Sequence, residues 1–353
     1  MQNKPNSRNA QMNESDCLTR LYKNFPQLRC GKNKANFKPN CTLCEFFLAF
    51  TFLCSIYNLT MQTWTIQKLL NWTTEHFTGR SIDSPRLSAE LLLSHVLGMQ
   101  RIELYTHFDN VVGKEQLDRL HDLVKRAAEY EPVAYLTGKT EFYSLELNIT
   151  PDCLIPRPET ELLVEKAIQF LRNRSGTQMV CDLCTGSGCV AVAIARNFDG
   201  ADIIATDISD AALGVAAANI DKYKLKGRIK LFCGDLFEPI LAQSGGKRFD
   251  LIVCNPPYVT ASEFEALDKN VKDYEPKSAL LAGKDGLEVS KKVIEQADKF
   301  LKSDAALMLE VGCGQEEPVR ELLKSAECFL EVKVEKDFQG IGRVAIARRM
   351  KSD

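Results

Sequence analysis

Histidine is scarce in this chain of 353 residues. The four histidines, His76, His95, His107 and His121, all lie before residue 122. The remainder of the chain therefore has no imidazole that could act as a general base or bind a metal. Any chemistry in that segment has to work without one.

An excess of positive charge is also missing from most of the chain. Residues 1–60 carry eight Lys and Arg against three Asp and Glu, and the whole chain has a net charge of -2, so residues 61–353 sum to about -7. Proteins that hold a nucleic-acid backbone neutralise several phosphates with Lys and Arg. The charge balance argues against direct nucleic-acid binding.

The sequence has no apolar run long enough to cross a bilayer. The longest candidate, Phe46–Tyr57, has twelve residues, whereas a spanning helix needs about 20. It lies too far from the start for a signal peptide, so we predict no membrane association and a cytoplasmic location. We expect residues 1–60 to be a disordered extension, or to be absent if Met61 is the natural start.

Cysteine is plentiful, with thirteen residues, but the odd number and the setting do not suggest disulfides. We predict reduced, buried thiols in a cytosolic protein. Two Cys-x2-Cys pairs, Cys41/Cys44 and Cys181/Cys184, have no nearby histidine, so we predict no metal site. Eight cysteines lie in or beside apolar runs: Cys153, Cys181, Cys184, Cys189, Cys233, Cys254, Cys313 and Cys328.

Two domains follow the extension. Residues 61–138 have a helical period, with a helix that starts at Pro85, ends at Gly98 and buries Leu87, Leu91, Leu92 and Val96, and a second helix over Lys114–Tyr130. Residues 139–155 alternate like a linker hairpin, with turns at Asn148 and at Pro151–Asp152.

From residue 156 to the end, strands alternate with helices, which predicts an α/β fold with a doubly wound, mainly parallel sheet. The predicted strands are Met179–Leu183, Asp202–Thr206, Ile229–Cys233, Phe249–Cys254, Ala305–Val311, Leu330–Val334 and Arg343–Ala347. The predicted helices are Glu159–Leu171, Cys189–Asn197, Asp210–Tyr223, Leu287–Leu301 and Glu316–Ser325.

Three acidic motifs follow the first three of these strands. Asp182 precedes Cys184, Thr185, Gly186, Ser187 and Gly188, a loop that opens a helix and lets the backbone approach a ligand closely. Asp207 lies 21 positions after Gly186, where a carboxylate can accept hydrogen bonds from ribose hydroxyls. Asp235 and Leu236 follow the third strand, on the adenine side. The pattern predicts a nucleoside cofactor without saying which one.

The fourth strand is followed by Asn255, Pro256, Pro257 and Tyr258. The prolines restrict the backbone, so the Asn255 side-chain oxygen and the Pro256 carbonyl can point the same way, and Tyr258 offers a flat face. Such a site accepts both hydrogens of a planar NH2 group and turns its nitrogen towards an electrophile.

Together these motifs resemble those of class I S-adenosylmethionine-dependent methyltransferases. Three further runs make the chain, over about 61–348, similar to the peptide-chain-release-factor glutamine methyltransferases: Ile155–Glu161 (IPRPETE), Tyr274–Pro276 and Gly283–Leu287. The resemblance implies a Rossmann-like domain with a seven-stranded sheet over 156–353, joined by the 139–155 hairpin to an N-terminal helical docking domain over 61–138.

The resemblance also implies a reaction and its participants. S-adenosyl-L-methionine would methylate the side-chain amide nitrogen of the glutamine in the Gly-Gly-Gln motif of class-one release factors, modulate translation termination and leave as S-adenosyl-L-homocysteine. It implies a monomeric enzyme that binds no nucleic acid directly.

The site roles implied by the resemblance divide into three sets. Catalysis would fall to Asn255, Pro256 and Tyr258, and substrate binding to these three with Pro257 and Phe142. Cofactor binding would fall to Asp182, Cys184, Thr185, Gly186, Ser187, Gly188, Asp207, Asp235, Leu236 and Asn255.

The sequence departs from this family at two positions. Cys184 replaces a usual glycine, which puts cofactor affinity in question, and Gly342 replaces a usual polar residue. Three alternatives stay open. A cofactor-binding module that has lost activity is disfavoured by the intact Asn255–Tyr258 motif. A glutamine methyltransferase acting on a ribosomal protein is disfavoured by Pro158–Glu161. A nucleic-acid adenine-N6 methyltransferase is disfavoured by the negative charge.

Overall fold

The computed structural model describes residues 63–244 and 248–350. The predictions for residues 1–60, for the apolar run Phe46–Tyr57, for the Cys41/Cys44 pair and for a start at Met61 lie outside the described residues. None of the helices within the described ranges combines the length and apolar character that a membrane span requires.

The described chain contains an N-terminal group of helices, a short hairpin and a large α/β unit, all within one compact unit that begins at Thr63. Its helices are α1 (Ile66–Thr78), α2 (Pro85–Leu97), α3 (Arg101–Thr106), α4 (Lys114–Ala128), α5 (Val133–Thr137), α6 (Thr160–Arg172), α7 (Cys189–Asn197), α8 (Asp210–Lys222), α9 (Glu238–Ser244), α10 (Ala261–Ala266), α11 (Lys269–Lys272), α12 (Glu288–Phe300) and α13 (Glu316–Ser325).

Seven strands form one sheet, and two more form a separate hairpin. The strands are β1 (Lys139–Phe142), β2 (Leu145–Asn148), β3 (Gln178–Leu183), β4 (Ala201–Asp207), β5 (Ile229–Cys233), β6 (Phe249–Cys254), β7 (Leu301–Glu310), β8 (Phe329–Lys336) and β9 (Gly342–Arg349). The sheet order is β5-β4-β3-β6-β7-β9-β8, and β9 alone runs in the opposite direction to the other six strands. The predicted mostly parallel seven-stranded α/β fold is confirmed.

Helices cover both faces of this sheet. All six residues of β6 are buried, as expected for a central parallel strand covered on both sides. Residues of α6, α7 and α8 share a core with one face, and residues of α12 and α13 share a core with the other. The two cores hold the strands in register, so the carboxyl ends of β3, β4, β5 and β6 form one edge.

The helical bundle packs around its own core, but the predicted apolar face of α2 was partly wrong. Leu92 and Val96 are buried as expected, whereas Leu87 and Leu91 are 39% and 36% exposed. Ala89 and Leu93 are buried in α2 instead. The contacts of α2 with α1 and α4 rotate its buried face away from the predicted positions.

The hairpin was predicted correctly in place but not in its turn. The chain reverses at Tyr143 and Ser144, whose φ angles of 50° and 60° lie in the left-handed region. A two-residue turn of this kind matches the twist of the flanking strands, although it usually contains Asn or Gly. The predicted turn residue Asn148 ends β2, and its backbone is held by hydrogen bonds of 2.7 and 3.0 Å with the Asn219 side chain.

Two of the eight cysteines predicted to be buried are exposed. Cys233 ends the edge-side strand β5, and Cys313 lies in the loop after β7. Both positions follow apolar strands, and a strand's last residue or its loop reaches solvent even where the strand interior does not. All eight of these thiols are free.

The packing of β9 explains why position 342 is a glycine. A Cβ atom at this position would approach Glu316 Cβ to 2.9 Å and Val334 Cγ1 to 3.0 Å. Because contacts this short force a neighbour to move, β9 packs here only with glycine.

Candidate active site

The candidate active site lies where the order of the sheet reverses. The chain leaves β3 towards β4 and β5 on one side, then returns to β6 on the other side of β3. Ligands of doubly wound folds bind at such a switch point, outside the carboxyl ends of the strands. A cavity of about 320 Å³ opens there, and loops after β3, β4, β5 and β6 line it.

Most of the predicted cofactor residues line this cavity. They are Asp182, Cys184, Thr185, Gly186, Ser187, Asp207, Asp235, Leu236 and Asn255. Gly188 is not among them. It precedes α7 with a φ of 77°, and a Cβ atom there would approach Ala216 to 3.1 Å. Gly188 thus allows α7 to pack closely on α8.

The loop after β3 adopts unusual backbone angles. Cys184 and Gly186 have φ angles of 57° and 56°, and a Cβ atom on Gly186 would stand in open space. Gly186 also lines the cavity, so no neighbouring side chain crowds this backbone where a ligand would bind. Cys184 adopts a conformation that suits glycine better, and its thiol interacts with that of Cys254.

Asp182, in β3, holds the loop by accepting a hydrogen bond from it. The Thr185 hydroxyl donates to Asp182 Oδ2 over 2.6 Å, and Asp182 is almost fully buried. Burial raises the pKa of Asp182 to about 7, although the hydrogen bond from Thr185 acts in the opposite direction. The Asp182 side chain therefore fixes the conformation of the loop and also lines the cavity.

Asp207 connects two parts of the cofactor wall. Its Oδ2 accepts from the Gly186 N–H over 2.8 Å, and its Oδ1 accepts from the Ser209 N–H over 2.9 Å. Burial raises its pKa, while these backbone hydrogen bonds lower it. Each carboxylate oxygen has a second lone-pair direction, so the group can still accept from two hydroxyls of a ligand.

The charge of the cavity favours a cationic ligand. Four carboxyl groups line it, those of Asp152, Asp182, Asp207 and Asp235, against one basic side chain within the described wall, Lys292. Lys292 lies 3.6 Å from Asp235 and partly neutralises it. A nucleoside cofactor with a net positive charge suits this wall better than a dinucleotide with two phosphates.

Asn255 stands at the wall of the same cavity, directly after β6. Its Nδ2 donates to Thr160 Oγ1 over 3.2 Å, which leaves Oδ1 as the acceptor of this side chain. Pro257 also lines the cavity. The hydrogen bond to Thr160 thus holds one end of the Asn255 amide at the wall of the cavity.

Pro256 and Tyr258 occupy different places from Asn255. Pro256 is buried and is not among the lining residues. The Tyr258 carbonyl accepts from Gln315 Nε2 over 2.9 Å, and its ring lies close to Gly312. Burial raises the pKa of Tyr258 to about 12, so its phenol stays protonated. Tyr258 therefore stabilises the loop through its contact with Gln315, and its ring is not part of the cavity wall.

The structure does not support the prediction that Phe142 closes the substrate pocket. Phe142 is 1% exposed and belongs to the same core as Leu147 and Val164. It directly precedes the turn at Tyr143, and the pleat of β1 directs it into the core. Phe142 is a packing residue in this structure.

Several lining residues were not predicted from the sequence as site residues. They include Asp152, Cys153, Leu154, Pro156, Thr160, Ile208, Pro276, Ser278 and Ala279. Thr160 and Pro276 lie in the runs that carried the resemblance, so a signal was present without an assigned role. Ile208 is 66% exposed beside Asp207.

A buried ion pair explains why two distant runs meet at the cavity. Arg157 Nη2 lies 2.5 Å from Glu275 Oε1, and the Ile155 N–H donates to Glu275 Oε2 over 3.3 Å. Burial raises the pKa of Glu275, and Arg157 opposes that shift. The pair fastens the linker before α6 to the segment that carries Pro276.

Comparison with known proteins gives consistent matches. Residues 68–138 match the family model described as the PrmC N-terminal domain, and residues 159–272 match the model of the methyltransferase small domain. The release factor glutamine methyltransferase of Rhodopirellula baltica is 39% identical over 284 residues, which are 80% of this chain and 95% of the relative.

Two further comparisons agree in name. The release factor glutamine methyltransferase of Geobacter sulfurreducens is 39% identical over 287 residues, which are 81% of this chain and 98% of the relative. A crystal structure of a release factor-specific protein-(glutamine-N5) methyltransferase from Alicyclobacillus acidocaldarius is 31% identical and covers 58% of this chain and 99% of its own, with a TM-score of 0.37.

Proposed function

The chain belongs to the family of the release factor glutamine methyltransferases, and from this premise we propose how its cavity carries out the reaction. The enzyme methylates a glutamine side chain of a release factor with S-adenosylmethionine as the methyl donor. We assign the acceptor as the glutamine of the Gly-Gly-Gln motif and the methylated atom as its amide nitrogen.

We assign the cofactor to the cavity at the switch point. The open space at Gly186, the spare lone pairs of Asp207 and the acidic wall suit a nucleoside that carries a net positive charge. When bound, S-adenosylmethionine supplies an electrophilic methyl group and leaves as S-adenosyl-L-homocysteine.

The observation that carries the proposal is the position of Asn255. An amide nitrogen is hardly basic, so its reaction depends on orientation and on exclusion of water. Because Thr160 holds the Nδ2 of Asn255, its Oδ1 is available at the wall of the cofactor cavity. We propose that this oxygen and the Pro256 carbonyl accept the two hydrogens of the substrate amide.

This arrangement makes a protein base unnecessary for activation of the nucleophile. Two accepted hydrogen bonds increase the electron density on the amide nitrogen and fix the direction of its lone pair. We assign to Pro257 a restriction of the loop backbone, and to Tyr258 the support of the loop through Gln315. Asn255 is the proposed catalytic residue in the cavity wall, and the buried Pro256 contributes only its backbone carbonyl to the proposed contact with the substrate amide.

The helical bundle is the proposed docking surface for the release factor. Leu87 and Leu91 are separated by one turn of α2 and are both partly exposed, and Ile102 is 67% exposed. Exposed apolar side chains on neighbouring elements are typical of protein contacts.

A methyl-transfer assay tests the proposed function. The full chain is incubated with labelled S-adenosylmethionine and either a purified release factor or its Gly-Gly-Gln→Gly-Gly-Ala variant. Label on the first protein and none on the second supports the assignment. Label on neither, while the cofactor still binds, contradicts it and directs the search to ribosomal proteins and DNA as acceptors.

A further inference from the structure

A buried polar chain lies directly behind Asn255. Thr160, the first residue of α6, is 1% exposed and accepts from Asn255 Nδ2. Glu310, the last residue of β7, is 2% exposed, and its interaction with the Thr160 hydroxyl lowers the pKa of its carboxyl group against the effect of burial. Within the described part of the chain, Glu310 Oε2 has no hydrogen-bond partner.

The direction of the hydrogen bonds in this chain follows from the number of hydrogens. When Glu310 is ionised, its carboxylate only accepts hydrogen bonds, so the single hydrogen of the Thr160 hydroxyl is directed to it. The oxygen of Thr160 then has only lone pairs to offer Asn255, which must turn its NH2 group towards it. The amide oxygen of Asn255 is thereby left facing the cavity.

The opposite orientation would be unfavourable for the reaction. If Thr160 donated to the Asn255 oxygen, the NH2 group of Asn255 would face the NH2 group of the substrate, and two donors would oppose each other. The amide orientation therefore decides whether the loop binds the substrate glutamine.

We propose that Thr160 and Glu310 are positioning residues that hold the Asn255 amide with its oxygen towards the substrate. This inference rests on the proposed function, because it assigns Asn255 Oδ1 to the acceptor amide. It gives a role to a buried carboxylate that the cofactor wall does not use.

A purely structural role explains these two residues less well. The N-cap residue of α6 is Glu159, so Thr160 is not the capping residue of this helix. Burial of Glu310 destabilises the fold, since burial raises its pKa to about 7 even though Arg157 and Arg343 oppose the shift. Other ionisable groups that act on it or respond to it are Glu159, Tyr258 and Cys189.

The test compares three variants of the full chain in the methyl-transfer assay at pH 8. Thr160→Val removes the hydroxyl and keeps the shape, Thr160→Ser keeps the hydroxyl, and Thr73→Val is a matched control. Thr73 is a buried threonine in α1 whose hydroxyl has no partner in the described structure. The kcat, the KM for the release factor and the Kd for S-adenosylmethionine are measured for each.

We expect Thr160→Val to lower kcat on the order of 10- to 100-fold, because a misplaced group at the reacting centre loses rates of this size. The Kd for the cofactor should change less than about twofold, Thr160→Ser should recover most of the kcat, and Thr73→Val should match the wild type. Unchanged kcat in Thr160→Val, or an equal loss in Thr160→Ser, would overturn the proposal.

A structural readout separates this inference from the proposed function. Crystals that diffract to about 1 Å distinguish the oxygen and nitrogen of an amide. We expect Asn255 Nδ2 to face Thr160 in the wild type and to lose that fixed orientation in Thr160→Val. An unchanged amide in the variant refutes the positioning role, whereas a wild type that does not label the release factor refutes the function itself.

Discussion

Replacing Glu310 by glutamine should make the protein more stable and less active. In the fold, burial raises the pKa of Glu310 from 4.5 to about 7. Between these pH values the folded protein holds a proton that the unfolded chain has released, so this group makes the protein less stable as the pH rises. At 1.36 kcal/mol per pH unit, burial of this group costs about 3 kcal/mol of stability at pH 8 and less than about 1 kcal/mol at pH 5.

Glutamine has nearly the same shape and no charge, so Glu310→Gln should recover most of this cost. The free energy of unfolding, measured by urea denaturation, should exceed that of the wild type by about 2 to 3 kcal/mol at pH 8 and by less than about 1 kcal/mol at pH 5. Asp182, which also titrates near pH 7, is present in both proteins and cancels in the comparison.

The same variant should lose activity. A glutamine side chain can either accept from Thr160 or donate to it, so it no longer sets the direction of the hydrogen bonds. We expect kcat to fall on the order of tenfold at pH 8. The gain in free energy of unfolding over the wild type should be larger at pH 8 than at pH 5, and an equal gain at both would refute the buried charge. An unchanged kcat would refute the positioning role of Glu310.

Three other changes test separate parts of the account. Asp207→Ala should raise the Kd for S-adenosylmethionine about 10- to 100-fold, because this is the usual loss of affinity when hydrogen bonds to a charged group are removed. Calorimetry measures this Kd. Arg157→Met leaves Glu275 buried without its cation and should lower the free energy of unfolding by about 2 to 4 kcal/mol. The loss should be larger at pH 8 than at pH 5, because a protonated Glu275 needs no cation, and a loss independent of pH would contradict this. Leu87→Ser with Leu91→Ser should raise the KM for the intact release factor and leave the KM for a short Gly-Gly-Gln peptide unchanged; equal effects on both would argue against docking at α2.

The sheet could be predicted closely from the sequence because its strands are short apolar runs between helices with clear periods. The bounds of β5, β6 and α7 agree with the prediction. The short helices α9, α10 and α11 were missed, since segments of four to seven residues are too short to show a period. The turn at Tyr143 and Ser144 was missed because neither residue is typical of a left-handed conformation.

The site was predicted where it depends on single loops and missed where it depends on tertiary contacts. Asp207 and Asn255 follow strand ends, so their position in the cavity follows from the topology of the sheet. The contact of Asn255 with Thr160 joins residues that are 95 positions apart, and no local pattern indicates it. Phe142 was assigned to the pocket from the family resemblance, but the direction of a strand side chain depends on register.

The most direct measurement of the central claim is methyl transfer by Asn255→Ala, compared with the wild type, to a purified release factor. The account predicts a loss of kcat on the order of 100-fold or more with an unchanged Kd for S-adenosylmethionine, because the variant lacks the oxygen that orients the substrate amide. Methyl transfer by Asn255→Ala at the wild-type rate would contradict it.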